Sequence, residues 1–170
     1  NPYIAQSEIA EIKASIPEII FNQEILAQFI NMEGAVFRRI QEAATSETQD
    51  EPQQGRQYIA GVDVAASVDY TVVSVLDVAS RQMVFMDRFN RVDFNVLEDR
   101  LQAIHNRWHL QSMTVEANSI GQPVLDALNS RGMNIIPFTT TSGTKQKIIT
   151  GLQSAFEHGE IHIINDPVLI

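Results

Sequence analysis

The 170-residue sequence contains no cysteine. That absence removes disulfide frameworks, thiolate zinc sites and cysteine nucleophiles together. No apolar run approaches the ~20 residues that a membrane-spanning helix takes, and the first residues lack the charged-then-apolar pattern of a signal peptide. Basic residues are few: 12 Lys and Arg stand against 21 Asp and Glu, a formal net charge of −9. On its face this argues against a nucleic-acid partner, but the charge is uneven. Residues 1–55 hold nine acids and three bases, whereas the span between Asp126 and Glu157 holds no acid and contains Arg131, Lys145 and Lys147. Bulk charge therefore does not decide the partner. What is present, 44% hydrophobic and 19% charged residues, describes a folded globular chain of about one domain.

The first part reads as short helices. Ser7 is expected to cap a helix through about Ser15, with Ile9 and Ile12 on one face and Pro17 ending it. A second apolar stretch, Ile25, Leu26, Phe29 and Ile30, stops near Gly34, and Thr45–Gly55 (TSETQDEPQQG) reads as a linker or exposed loop. Residues 1–44 are too few for a core of their own and are expected to pack on something else.

From Gln57 the pattern changes. YIAGVDVA, YTVVSVLDV and RQMVFMDRF are β-branched or apolar runs joined by short turns, which predicts an antiparallel meander. Phe94, Leu97, Leu101, Ile104 and Trp108 then recur at helical spacing behind a candidate cap, Asp93. SMTVEA predicts a fourth strand. A helix with Pro123 near its start and Gly132 past its end follows. NIIPF, a helix from about Thr144 to His158, and a last strand IHII complete the order. The predicted class is α/β: an antiparallel three-strand meander followed by parallel strands, flanked by helices, the order of a ribonuclease H-like sheet.

Two acids stand out. Asp63 lies between Val62 and Val64 in an apolar strand, and Glu116 ends the fourth strand. An acid in such a place wants a cation, a donor or water, the plain alternative being a strand-end acid that caps a loop. If the first and fourth strands are neighbours, the two carboxylates meet at one crevice, where a divalent cation relieves their repulsion. Oxygen ligands without His or Cys favour Mg²⁺ or Mn²⁺ over zinc. Asp69, across the turn from Asp63, is either a turn residue or a further ligand; Asp77, Asp87 and Asp166 read as solvated strand ends. The four histidines show no ligand spacing: His105 and His109 are four residues apart, but Trp108 and Leu110 flank the second and no third ligand is near. Gly143-Thr144-Lys145 lacks the first glycine and the final hydroxyl of a P-loop, so no nucleotide site is expected. Thr144, Lys145 and Lys147 at a helix start remain equally readable as a phosphate contact or as a capped, solvated turn.

FNQEILAQFINMEGAVFRRI, YIAGVDVAASVDYTVVSVLD, VEANSIGQPVLDAL and PFTTTSGTKQKIITGLQSAFEHGEIHI, in this order, resemble the large terminase subunit of tailed bacteriophages and prophages. The resemblance begins after the packaging ATPase and runs through most of the nuclease domain. It implies a helical linking segment over 1–55 and a ribonuclease H-like nuclease over 56–170, truncated at its C-terminus. It implies two-metal cleavage of concatemeric double-stranded DNA in the host cytoplasm, one ion generating hydroxide and the other stabilising the leaving 3′ oxygen. By position Asp63 resembles the first-strand ligand that bridges both ions, Glu116 the fourth-strand ligand and Asp69 an additional acid. The family's partners are an ATPase domain, the portal and the small terminase subunit, with no membrane. The third essential acid of that family comes from a helix beyond the last strand matched, so the site within these residues is expected to be incomplete and cutting poor. The alternatives are another ribonuclease H-like nuclease, such as a junction resolvase, and a non-catalytic DNA or portal docking module.

Overall fold

A computed structural model describes residues 5–27, 36–65, 69–118 and 120–170. Five strands form one sheet: β1 (Tyr58–Asp63), β2 (Thr71–Asp77), β3 (Gln82–Phe89), β4 (Ser112–Glu116) and β5 (Ile135–Phe138), in the order β3-β2-β1-β4-β5. β1–β2 and β2–β3 are antiparallel, β1–β4 and β4–β5 parallel. This is the mixed sheet that the sequence predicts.

Strand alternation decides the two faces. On β1 the buried residues are Tyr58, Ala60 and Val62, while Ile59, Gly61 and Asp63 face outward. The inner side is closed by α4 (Phe94–Trp108) and α5 (Gly121–Ser130), whose Leu97, Leu101, Ile104, Trp108, Leu125 and Leu128 share one core with the strands. Trp108 sits at its centre, edge-on to Tyr58 with ring centroids 5.1 Å apart. Asp93 is the N-cap of α4 by position, in extended backbone, although its carboxylate makes no capping bond. Gly132, at φ 84°, takes the left-handed conformation that lets the chain leave α5 for β5.

The N-terminal part comprises α1 (Gln6–Ser15), the short α2 (Glu18–Ile20) running into a π-helical turn at Phe21–Ile25, and α3 (Ile40–Ala43). α1 starts at Gln6 rather than at a Ser7 cap, so Ser7 lies inside its first turn. Leu26 falls in the exit of the π-helical turn, and the rest of the expected second helix, at Phe29 and Ile30, lies outside the described residues. This part packs on the end of α6 (Ser142–Glu157): the Glu18 N–H donates to the Glu157 carboxylate, Arg39 donates to the Glu157 carbonyl, and Phe37 meets Phe156 edge-on. Residues 45–55 are pinned rather than free. Gln49 donates to the Val84 carbonyl, Arg107 to the Asp50 carbonyl, and the Tyr58 hydroxyl accepts from Gln53 N.

The expected last strand, IHII, is not a strand. It makes two isolated bridges, His162 with Gln82 and Ile164 with Ser46. The edge of β3 is already shared, because Met83 donates to His162 O while Val84 O accepts from Gln49 N, and neither segment can zip along it.

Candidate metal centre and its surroundings

The β1–β4 register pairs Val62 with Val115, both buried, so Asp63 and Glu116 are neighbours one residue further on and face outward together. Adjacent strands lie ~4.8 Å apart, which brings the two acids side by side. Asp63 is solvent-exposed and Glu116 half-buried. The Asp63 carboxyl titrates above its ordinary range; partial burial is the largest cause, followed by the negative charges of Glu116 and then Asp69. Three acids therefore share one electrostatic neighbourhood around Asp63, and a cation there would lower their repulsion. The donor set is oxygen alone, which fits a hard divalent ion. Among the described residues no group of three or more His, Cys, Asp or Glu is close enough to hold a metal ion, so Asp69 is coupled to the pair without closing a cage around it.

One cross-strand row carries the site. Reading across the sheet from β3 to β5, it runs Arg88, Val72, Asp63, Glu116, Phe138. Below the acids, Ser74, Gly61 and Thr114 form the next row; no atom lies within 4 Å of where a side chain on Gly61 would begin, so the floor beside Asp63 is open.

At the β5 side, α6 begins with a reciprocal cap. Thr144 N donates to Thr141 Oγ1 at 3.2 Å, and Thr141 N donates to Thr144 Oγ1 at 2.8 Å. The Thr144 hydroxyl also donates to Thr139 O, so it is engaged in the cap. Lys145 and Lys147 are exposed on the first turns. Arg131, counted with them in the acid-free span, is instead neutralised by Glu98 at 2.8 Å and Asp99 at 2.6 Å. The acids read as solvated ends also have partners. Asp77 is buried and accepts from Ala79 N and Ser80 N, Asp87 takes a two-pronged bond from Arg100, and Asp166 accepts from Val168 N. Arg88, with its guanidinium 3.4 Å over the Tyr70 ring centroid, was not singled out by sequence; its signal was the alternation of RQMVFMDRF, which turns Arg88 to the face of Asp63.

The sheet order with acids at neighbouring ends of β1 and β4 defines a ribonuclease H-like domain. Residues 60–168 match the family described as the terminase RNaseH-like domain, and the chain belongs to that family. The large terminase subunit of Thermus virus P23-45 is 24% identical over 94% of this chain and 35% of its own length. The chain thus spans about a third of the curated relatives it matches. Among solved structures, the large terminase nuclease of the thermophilic phage G20c with bound magnesium has a TM-score of 0.73 at 20% identity, over 81% of this chain and 78% of that one. The large terminase of another thermophilic bacteriophage has a TM-score of 0.74 at 11% identity, over 97% of this chain and 42% of that one. At these identities the structures establish the fold. The family match weighs against the junction-resolvase alternative.

Proposed function

We propose that this chain is the nuclease part of a large terminase and hydrolyses double-stranded DNA with divalent metal ions. The observation that supports it is the outward pair Asp63 and Glu116 on adjacent parallel strands, with the Asp63 proton affinity raised first by partial burial and then by its acidic neighbours Glu116 and Asp69. In this reading Asp63 would hold both ions, Glu116 one of them, and Asp69 would orient a water. Bound Mg²⁺ or Mn²⁺ would supply Lewis acidity for the attacking water and for the leaving 3′ oxygen. The protein's own part is to fix the carboxylates on rigid strands and keep the outer face open to a wide substrate.

Two carboxylates supply few of the roughly six oxygens a hard ion takes, and water or a further acid supplies the rest. Weak Mg²⁺ binding and slow cutting are therefore expected of these 170 residues by themselves. Residues 1–55 serve in this reading as the segment joining an ATPase domain to the nuclease over 56–170. The portal, the small terminase subunit and the bacterial cytoplasm are the corresponding partners and location. A plasmid-nicking assay with Mn²⁺ is the test: cleavage lost on chelation and in Asp63→Asn supports the nuclease, and a parent chain that binds DNA without ever nicking it would leave the docking-module reading in its place.

A further inference from the structure

Among the described residues five arginines are held in ion pairs: Arg39 with Glu42, Arg56 with Asp77, Arg81 with Glu160, Arg100 with Asp87, and Arg131 with Glu98 and Asp99. Arg88 is different. It is exposed and forms no ion pair among the described residues, although the chain carries a net charge of −9 and Asp63 and Glu116 lie on the same face of the sheet. Its guanidinium centre instead lies 3.4 Å over the centroid of the Tyr70 ring, itself 43% exposed. Stacking occupies the flat face of the guanidinium and leaves its N–H edge pointing away from the ring, the edge that binds a phosphate in two-pronged fashion. A cation fixed on an aromatic plate with an unused donor edge is organised to receive an anion.

Its position says which anion. Arg88 pairs with Val72, and Val72 with Asp63, so Arg88 stands in the acid row two strand spacings, or about 10 Å, from Asp63. A backbone phosphate within a few nucleotides of a bond held at Asp63 and Glu116 comes within its reach. On the far side of the acids the row ends at Phe138, and residues 139–141 lead from there into α6, which carries Lys145 and Lys147.

We propose that Arg88, held by Tyr70, is a DNA-phosphate contact that lays the substrate strand across the acid pair. This rests on reading that pair as a nuclease centre. Arg88 touches the DNA; Tyr70 is a positioning residue that acts through it.

The test measures binding of a short blunt DNA duplex to the full 170-residue chain by fluorescence anisotropy, in EDTA, over a series of salt concentrations, alongside Mn²⁺-dependent plasmid nicking. Arg88→Ala is expected to weaken binding and to lower the slope of log K against log salt by about 0.9, one phosphate contact. Tyr70→Leu should weaken binding and Tyr70→Phe, which keeps the aromatic plate, should restore it; a residue that merely stabilised the strand end would not show this rescue in the salt slope. Arg81→Ala, whose cation is already paired with Glu160, should leave the slope unchanged. An unchanged slope in Arg88→Ala, or an equal drop in Arg81→Ala, overturns the proposal even if Asp63→Asn abolishes nicking. Normal nicking by Asp63→Asn would instead overturn the nuclease reading, and the premise of this inference with it.

Discussion

One sheet carries two unlike faces. On the inner face, Val73, Val75, Met113 and Val115 are fully buried beneath α4 and α5. On the outer face, Ile59 is 37% and Ile136 47% exposed, and the row above them carries Arg88, Asp63 and Glu116. The strand residues alternate, so the two faces are built from the same four to eight positions of each strand. The inner face is where apolar area leaves water and stability resides. The outer face keeps charge in partial contact with solvent, where it can be used. A single strand such as β1 serves both, because Val62 and Asp63 are neighbours that point in opposite directions.

The largest expected difference between the faces lies in activity. Asp63→Asn keeps the size of the side chain and removes the charge that would hold a metal. Metal-dependent nicking should fall to background while the melting temperature, measured in EDTA, does not fall. Loss of folding in this variant would show that Asp63 belongs to the structural face after all.

Stability should show the reverse pattern. Leu101 is fully buried against the sheet, and Leu101→Ala is expected to cost about 2–5 kcal/mol through lost burial and the cavity left behind. Ile136→Ala, on the open face, should stay within about 0.5 kcal/mol. Urea denaturation of both variants measures the contrast directly. Equal losses would mean that the outer face is covered in solution.

The inner face was legible because its signals are periodic. Leu97, Leu101, Ile104 and Trp108 recur at helical spacing, and the β-branched runs of β1 and β2 alternate as strands must. The outer face was legible only at its two acids, and partly for a reason the structure revises. Asp63 drew notice as an acid inside an apolar run, as if buried; alternation turns it outward, and its raised proton affinity comes from partial burial together with Glu116 and Asp69. Arg88 and Tyr70 were not legible, because their meeting depends on the β2–β3 register, which no single strand reveals. The same limit hid the partners of Arg131, Asp77 and Asp87, and the fate of the tail at 161–164, where competition for one sheet edge decides the outcome.

A smaller effect is expected where the outer face continues past β5. Lys145 and Lys147 are exposed on the first turns of α6, which follows β5 in the chain. Replacing both with alanine should weaken DNA binding across sequences and lower the salt slope by up to about two phosphate contacts, ~0.9 each. The cap formed by Thr141 and Thr144 is untouched by these changes, so helicity by circular dichroism should be constant. An unaltered slope would confine DNA to the Arg88 side.

The smallest effect, and the one that sets the faces most sharply against each other, is in pH dependence. His105 lies on α4, half-buried, with its Nδ1 lacking a hydrogen-bond partner among the described residues, and burial followed by the nearby His109 pushes its proton affinity down. The unfolded chain then takes up a proton at His105 near the ordinary imidazole value, about 6.5, before the folded chain does. Protonation favours the state that binds the proton more readily, so stability is retained above that value and declines as pH falls below it, until the folded imidazole also titrates. Asp63 on the outer face works in the opposite sense. Its affinity is raised, so the folded chain takes up the proton first, and stability declines as pH rises through the carboxylate range. His105→Leu should therefore flatten the loss of stability on mild acidification, and Asp63→Asn should raise the neutral-pH melting temperature in EDTA while reducing the stabilisation that added Mn²⁺ gives the parent. Urea titrations between mildly acidic and neutral pH, on the parent and the two variants, separate these contributions. If His105→Leu keeps the full acid slope, the loss arises elsewhere and the inner face is electrostatically silent. If Asp63→Asn lowers the melting temperature, the repulsion assigned to the outer face is absent, and the case for a cation between Asp63 and Glu116 goes with it.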